Sequence, residues 1–223
     1  MDSRGYCGER SLSSLAPPSL STVEDWQAIR KDPLGKLNIP FSSIDESIMS
    51  IVPSIVKTIF TKRFQDLKAQ ETEAIATNKA TAKLIGNQRS EGIVRGFTLI
   101  QDEPESVAGT GTGPTPTDFL IASVAFCEDV VFARNAVLND LDIQALETTV
   151  SGYWDMKGLF EIGSANPSFR SILVETRVRT NGPLKKAVEV ARMTHNRCPV
   201  HATLKKATKM TFKLFVNDVE ALL

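Results

Sequence analysis

The feature that constrains the fold most is an apolar segment at residues 113–138, GPTPTDFLIASVAFCEDVVFARNAVL. Pro116 suits the first position of a helix, where its missing N–H costs nothing, and Thr115 before it can cap the free amides. Residues 119–126 are apolar but for one serine, and a helix that is apolar all round is normally buried. We therefore expect a buried central helix, with Cys127 deep inside it about three turns from its start.

The charge and cysteine content exclude several classes of protein. Lysine plus arginine equals aspartate plus glutamate at 26 each, so there is no basic field to attract nucleic acid or an anionic membrane. No apolar run approaches the length of a membrane span. Three cysteines in 223 residues do not make a secreted disulfide scaffold. We expect a cytoplasmic protein with no nucleic-acid or membrane partner.

The chain divides into three parts by composition. Residues 1–21 are rich in serine and proline without periodicity, which predicts a mobile tail. Residues 22–72 are expected to form a helical N-terminal extension, because apolar side chains recur at helical spacing over 44–67. That spacing predicts one long amphipathic helix, or a helix kinked at Pro53, packed on the main domain or across a dimer. Residues 73–223 form the main domain.

The main domain combines strands and helices. Alternating apolar and polar residues predict strands at residues 80–84, 93–100, 144–155, 168–180 and 210–216. Gly86-Asn87 predicts the turn of an antiparallel hairpin between the first two strands. Helices are expected after Pro183 and from Pro199 to about residue 207. The order predicts an α+β fold with a mainly antiparallel sheet.

Two cysteine motifs carry a family resemblance. A glycine-rich loop precedes Pro116-Thr117-Asp118-Phe119-Leu120, and small residues lead to Cys127, eleven positions after the proline; the second motif is Arg197-Cys198-Pro199-Val200. Together these motifs resemble the OsmC/Ohr superfamily of thiol proteins over about residues 75–216. The resemblance implies an intertwined homodimer in which sheets enclose two central helices, without a metal or an organic cofactor.

The resemblance also implies a reaction. Cys127 would attack the O–O bond of an organic hydroperoxide or of hydrogen peroxide and become a sulfenic acid, and Cys198 would condense with it to a disulfide that a dithiol reductant reopens. Cys198 precedes a proline that suits a first helical position, so we expect it at the N-cap, where the helix dipole lowers the pKa of its thiol. Cys127 lies beside Glu128 and Asp129, which raise a thiol pKa together with burial. Its activation therefore needs a cation from elsewhere.

The resemblance places that cation in the first hairpin. Arg89 is the best positional match for the activating arginine, with Arg95 as the second choice. The acidic partner of this arginine matches Thr117 or Asp118, and only Asp118 can form the ion pair. Thr117 departs from the Pro-Glu pattern of the hydroperoxide branch.

Two other interpretations remain open for this sequence. His195, Cys198 and His201 stand at intervals of three residues and offer three ligands to zinc, with Cys127 as a possible fourth. Alternatively, the domain is a thiol module without peroxidase activity that binds an apolar ligand or a partner. The aromatic side chains that would line such a pocket are Phe119, Phe126, Phe132 and Trp154.

Overall fold

The computed structural model describes residues 50–206, 214–216 and 219–221. Its helices are α1 (Ile55–Lys68), α2 (Pro116–Leu138), α3 (Met156–Leu159), α4 (Leu184–Arg197) and α5 (Pro199–Lys205). Its strands are β1 (Ala80–Gly86), β2 (Arg89–Val94), β3 (Phe97–Gln101), β4 (Ala145–Trp154), β5 (Phe169–Arg179), β6 (Leu214–Val216) and β7 (Val219–Ala221). Within these ranges no helix is both long and apolar enough to cross a membrane.

The N-terminal extension is described only from residue 50 onward. Helix α1 begins directly after Pro53 and Ser54, and residues 50–52 are not helical. A proline disfavours the helical conformation in the residue before it, which explains why the helix starts here rather than further upstream. The predicted tail at 1–21 and the first part of the predicted helix lie outside the described residues.

Helix α2 begins where the sequence predicts. Its N-cap Thr115 accepts a hydrogen bond from the backbone N–H of Asp118 at 3.2 Å, and the Asp118 carboxylate accepts one from the Thr115 N–H at 2.9 Å. This reciprocal capping box satisfies two amides that a helix start otherwise leaves without partners. Pro116 occupies the first turn, as expected.

The prediction that α2 is buried all round is wrong for the single chain. Phe126 is 69% exposed and Val130 is 65% exposed, whereas Val131 and Phe132 on the opposite side are buried. The helix packs against α1, β4, α4 and α5. No element of the described residues covers Phe126 and Val130, so an apolar surface stays open to solvent there.

The hydrophobic core lies between α2, α4 and the start of β4. Its buried members are Phe132, Ala136, Leu141, Ile143, Ala187 and Val190. Polar contacts reinforce the same helix pair, because Asn135 Nδ2 donates to Thr194 Oγ1 at 3.2 Å and both residues are buried. The core therefore fixes α4, and with it the segment that follows, against α2.

The two longest strands confirm the alternation read from the sequence. Strands β4 and β5 pair antiparallel along nearly their whole length, with Thr148 opposite Thr176. The short strands β6 and β7 form a second antiparallel pair. Mixed helices and antiparallel sheets make the fold α+β, as predicted.

The first sheet has three strands where the sequence predicts a hairpin. Strands β1, β2 and β3 form an antiparallel meander, and the predicted single strand at 93–100 is interrupted by a turn at Arg95 and Gly96. These two residues have φ angles of 53° and 86°. Positive φ at both central residues is typical of a two-residue type I′ hairpin turn. The prediction of one continuous strand there is wrong.

The glycine-rich loop before α2 is organised around the buried carboxylate of Asp102. Its two oxygens accept the backbone N–H groups of Glu103, Thr110 and Thr112 at 2.9–3.2 Å. They also accept the hydroxyls of Thr110 and Thr112. Gly109 allows the loop to close, because an added Cβ would lie 1.8 Å from the Glu103 carbonyl oxygen.

The Asp102→Asn substitution is expected to destabilise this loop and lower the Tm by several degrees. The new NH₂ group would face N–H and O–H donors that the carboxylate now satisfies. The hydrogen bond from Thr110, with those of Thr112, holds the pKa of Asp102 well below its usual range. A carboxylate with a lowered folded-state pKa stabilises the protein above its unfolded pKa of about 3.9, and this contribution is lost as the pH falls through the folded value.

Thermal unfolding of the wild type and Asp102→Asn across pH tests this expectation. The Tm difference should be constant near neutral pH and should narrow only at strongly acidic pH. Asp142→Asn, which changes an exposed carboxylate, is the matched control and should leave the Tm near that of the wild type. An unchanged Tm in Asp102→Asn would contradict the structural role of this carboxylate.

Candidate active site

The fold brings the two cysteines of the main domain together. The sulfur atoms of Cys127 and Cys198 are 2.9 Å apart, and both thiols are free. Cys127 lies in the middle of α2, and Cys198 lies at the junction of α4 and α5, which both pack on α2. Cys198 is fully buried. Cys127 is only partly buried, so the prediction that it lies deep inside the helix is wrong.

Cys198 is the N-cap of α5, as predicted. Helix α4 ends at Arg197, Pro199 opens α5, and the backbone N–H of His201 donates to the Cys198 sulfur at 3.4 Å. The predicted lowering of its pKa is wrong. Burial, together with the Cys127 thiol beside it, raises the pKa of the Cys198 thiol to about 11 and outweighs the N–H donor. At neutral pH, Cys198 is therefore a thiol rather than a thiolate.

A carboxylate and two imidazoles lie around this thiol pair. Glu128 is 1% exposed, and its Oε1 lies 2.7 Å from Nδ1 of His195. The ring of His201 meets that of His195 edge to face, with centroids 5.5 Å apart. Burial and the nearby charge of Lys205 lower the pKa of His201. The site thus combines two thiols with a carboxylate and two imidazoles.

Comparison with known proteins identifies the domain that holds both thiols. The model of the family described as OsmC-like protein matches residues 109–213, a span that includes α2, α4 and α5. This segment, slightly less than half of the chain, therefore matches the OsmC-like family. No curated protein sequence matches that of this chain.

Solved structures agree with the OsmC fold. An OsmC-like protein from Mycoplasma pneumoniae is 21% identical and has a TM-score of 0.52, over 58% of this chain and 88% of that chain. An OsmC-like protein of unknown function from Vibrio cholerae is 11% identical with a TM-score of 0.50, over 58% and 94% of the two chains. The organic hydroperoxide resistance protein OhrB of Bacillus subtilis is 23% identical with a TM-score of 0.43, over 59% and 93%. Identities this low bear on the fold alone, and only the first two structures, with TM-scores of at least 0.50, support it.

The two other predicted site residues, Arg89 and Asp118, lie on separate elements. Arg89 opens β2, in the three-stranded sheet, and its Nε is buried with no hydrogen-bond partner among residues 50–206. Asp118 is exposed in the first turn of α2, where its carboxylate serves the capping box. No ion pair joins these two side chains, or Arg89 and a cysteine, within the described part of this chain.

The structure changes both alternative interpretations, the zinc site and the aromatic pocket. Among the described residues, the cluster with metal-ligand geometry is Glu128, His195 and His201, so the glutamate takes the place that the sequence assigned to Cys198. The aromatic residues do not share a pocket, because Phe132 fills the core while Phe126 is exposed. Sequence reasoning treated Glu128 only as a neighbour of the thiol. The position of Glu128 inside an apolar helix was the one signal in the sequence that its carboxylate contacts another polar group.

Proposed function

We propose that this protein is a cytoplasmic thiol peroxidase that reduces organic hydroperoxides or hydrogen peroxide through Cys127 and Cys198. The observation that carries the proposal is the 2.9 Å separation of the two sulfur atoms. A disulfide bond is about 2.05 Å long, so the thiols need to approach by less than about 1 Å to form one. Such a pair suits a reaction that ends in an intramolecular disulfide.

The proposed reaction has three balanced steps. The Cys127 thiolate attacks one oxygen of ROOH and the O–O bond breaks; the leaving alkoxide takes a proton from solvent, so the products are Cys127 sulfenic acid and the alcohol ROH. The Cys198 thiol then attacks the Cys127 sulfur, giving the disulfide and water. A dithiol reductant exchanges with this disulfide, becomes oxidised, and returns both thiols.

Exposure and acidity assign different roles to the two cysteines. A peroxide has to reach the attacking sulfur, and Cys127 is the partly exposed member of the pair. Cys198 is fully buried with a pKa of about 11, which makes it a poor first nucleophile. It is nonetheless in place to condense with a sulfenic acid on Cys127, and we assign it that resolving role.

Activation of Cys127 is assigned to Arg89, with Asp118 as the partner that orients it. The buried Nε of Arg89 has no partner among residues 50–206, and the exposed Asp118 carboxylate has acceptor capacity beyond its capping bonds. A guanidinium beside the thiolate would lower its pKa.

We propose that the working form is a homodimer. OsmC family proteins are commonly dimeric, and this chain leaves large apolar side chains exposed on α2 and on the first sheet: Phe126, Val130, Leu84, Ile93 and Phe97. Large exposed apolar side chains of this kind often mark an interface. We propose that the second copy supplies the Arg89 that activates Cys127.

Thiol counting tests the function directly. The reduced protein has three cysteines, and one equivalent of cumene hydroperoxide should reduce the titratable thiols from three to one per chain. Adding a dithiol should then sustain continuous peroxide consumption. Cys7→Ser, which removes the cysteine in the predicted tail, is the control and should lose the same two thiols. If all three thiols persist under excess peroxide, the proposal fails.

A further inference from the structure

Three potential metal ligands converge beside the thiol pair. Glu128 on α2, His195 on α4 and His201 on α5 each offer one ligand atom, and these atoms all lie within 4.8 Å of one another. The chain has two histidines in total, and both belong to this cluster. Three separate helices thus deliver their donors to one point.

The cluster leaves buried polar atoms without hydrogen-bond partners. Oε2 of Glu128, Nδ1 of His195 and Nδ1 of His201 are all buried and make no hydrogen bond within the described part of the chain. Glu128 itself is 1% exposed, so solvent does not satisfy its second oxygen. Buried unsatisfied groups are rare in native proteins, and a bound ion is one of the few explanations for a cluster of them.

The close contact between Glu128 and His195 accounts for only part of this arrangement. Their 2.7 Å contact brings together Oε1 and Nδ1 at an ion-pair distance, without the alignment of a hydrogen bond. It leaves Oε2 of Glu128 and Nδ1 of His201 without partners. A cation placed among the three side chains would satisfy all of them at once.

The donor set matches one class of cation. Two imidazole nitrogens and one carboxylate oxygen form a common three-ligand zinc set, with a fourth position left for water or another ligand. Two donors bound to the same zinc at about 2.0–2.2 Å lie about 3.4 Å apart in tetrahedral geometry, so the present spacing needs adjustments of about 1 Å. We propose that Glu128, His195 and His201 form a binding site for a divalent transition metal of the zinc class. This site does not depend on the peroxide chemistry proposed above.

The thiols have to be removed to test the site, because they bind zinc themselves. The thiol-free variant Cys7→Ser/Cys127→Ser/Cys198→Ser keeps all three proposed ligands and should still bind one Zn²⁺ per chain in isothermal titration calorimetry. Adding Glu128→Gln or His201→Ala should weaken binding by more than about 100-fold, since losing even an outer-shell partner costs about 10–100-fold. Adding Asp129→Asn, which changes a neighbouring carboxylate that is not one of the three proposed ligands, should leave the affinity close to that of the thiol-free parent.

A second measurement needs no ligand substitution and guards against a misfolded variant. The thiol-free protein has two histidines, so the imidazole signals in its NMR spectrum can be followed directly during a Zn²⁺ titration. Both histidines should shift at a stoichiometry of one metal per chain. If a folded thiol-free protein shows no histidine shift, or if Glu128→Gln and His201→Ala bind Zn²⁺ as tightly as their parent, the metal site is refuted.

Discussion

Replacing Cys127 by serine is expected to abolish peroxide reduction, with a fall in the steady-state rate of about 10³-fold or more. A serine hydroxyl is not ionised at neutral pH and is a far weaker nucleophile toward an O–O bond than a thiolate. Cys198 cannot take over the attack, because it is fully buried and its pKa is raised to about 11. The measurement is consumption of cumene hydroperoxide in the presence of excess dithiol.

The Cys198→Ser variant is the informative comparison. Its Cys127 should still react once with peroxide, at a rate close to that of the wild type, and then accumulate as sulfenic acid that a dimedone probe can trap. Cys7→Ser should leave turnover unchanged. A Cys127→Ser protein with turnover within about tenfold of the wild type would overturn the assignment of the attacking thiol.

The second large effect is expected for Phe132→Ala, which should lower the free energy of unfolding by about 3–5 kcal/mol. Phe132 is 2% exposed in the core between α2 and α4, so its removal leaves a cavity that the surrounding helices cannot fill. Domains of ordinary stability unfold at about 5–15 kcal/mol, so this loss is a large part of the total. Urea unfolding followed by circular dichroism measures it as a lower midpoint with an unchanged slope.

The same substitution has a functional consequence. The core around Phe132 holds α4 against α2, and this contact sets the distance between the two cysteines. Phe160→Ala removes an exposed ring of the same type and is expected to cost less than about 0.5 kcal/mol. Equal losses of stability in the two variants would show that Phe132 does not anchor this core.

The parts of the fold that the sequence predicted are those set by local patterns. The alternation along β4 and β5 and the Thr115-Pro116 start of α2 are visible in neighbouring residues, and all three are confirmed. The interruption between β2 and β3 was missed because Arg95 carries no signal for a positive φ; only Gly96 does. The exposure of Phe126 and Val130 on α2 was not predicted. An apolar sequence indicates that a helix face is buried, but it does not indicate whether the same chain or a second chain buries it.

The sequence names both thiols of the candidate site, whereas the pKa of Cys198 depends on packing that the sequence does not show. The resemblance named Cys127 and Cys198, and their proximity follows from packing between helices that are distant in sequence. The pKa of Cys198 was predicted with the wrong sign, since the effect of the helix start is local while the burial that outweighs it is tertiary. Glu128 was not recognised as a partner of the two histidines for the same reason.

Peptide mapping by mass spectrometry after one equivalent of cumene hydroperoxide tests the central claim most directly. The reduced protein, quenched within seconds and digested without reductant, should yield a linked pair of peptides that contain Cys127 and Cys198. The linked pair should be absent from the Cys198→Ser variant. If the wild type instead accumulates sulfinic acid on Cys127 with Cys198 still reduced, or if both thiols remain reduced, these cysteines do not act as a peroxidatic and resolving pair.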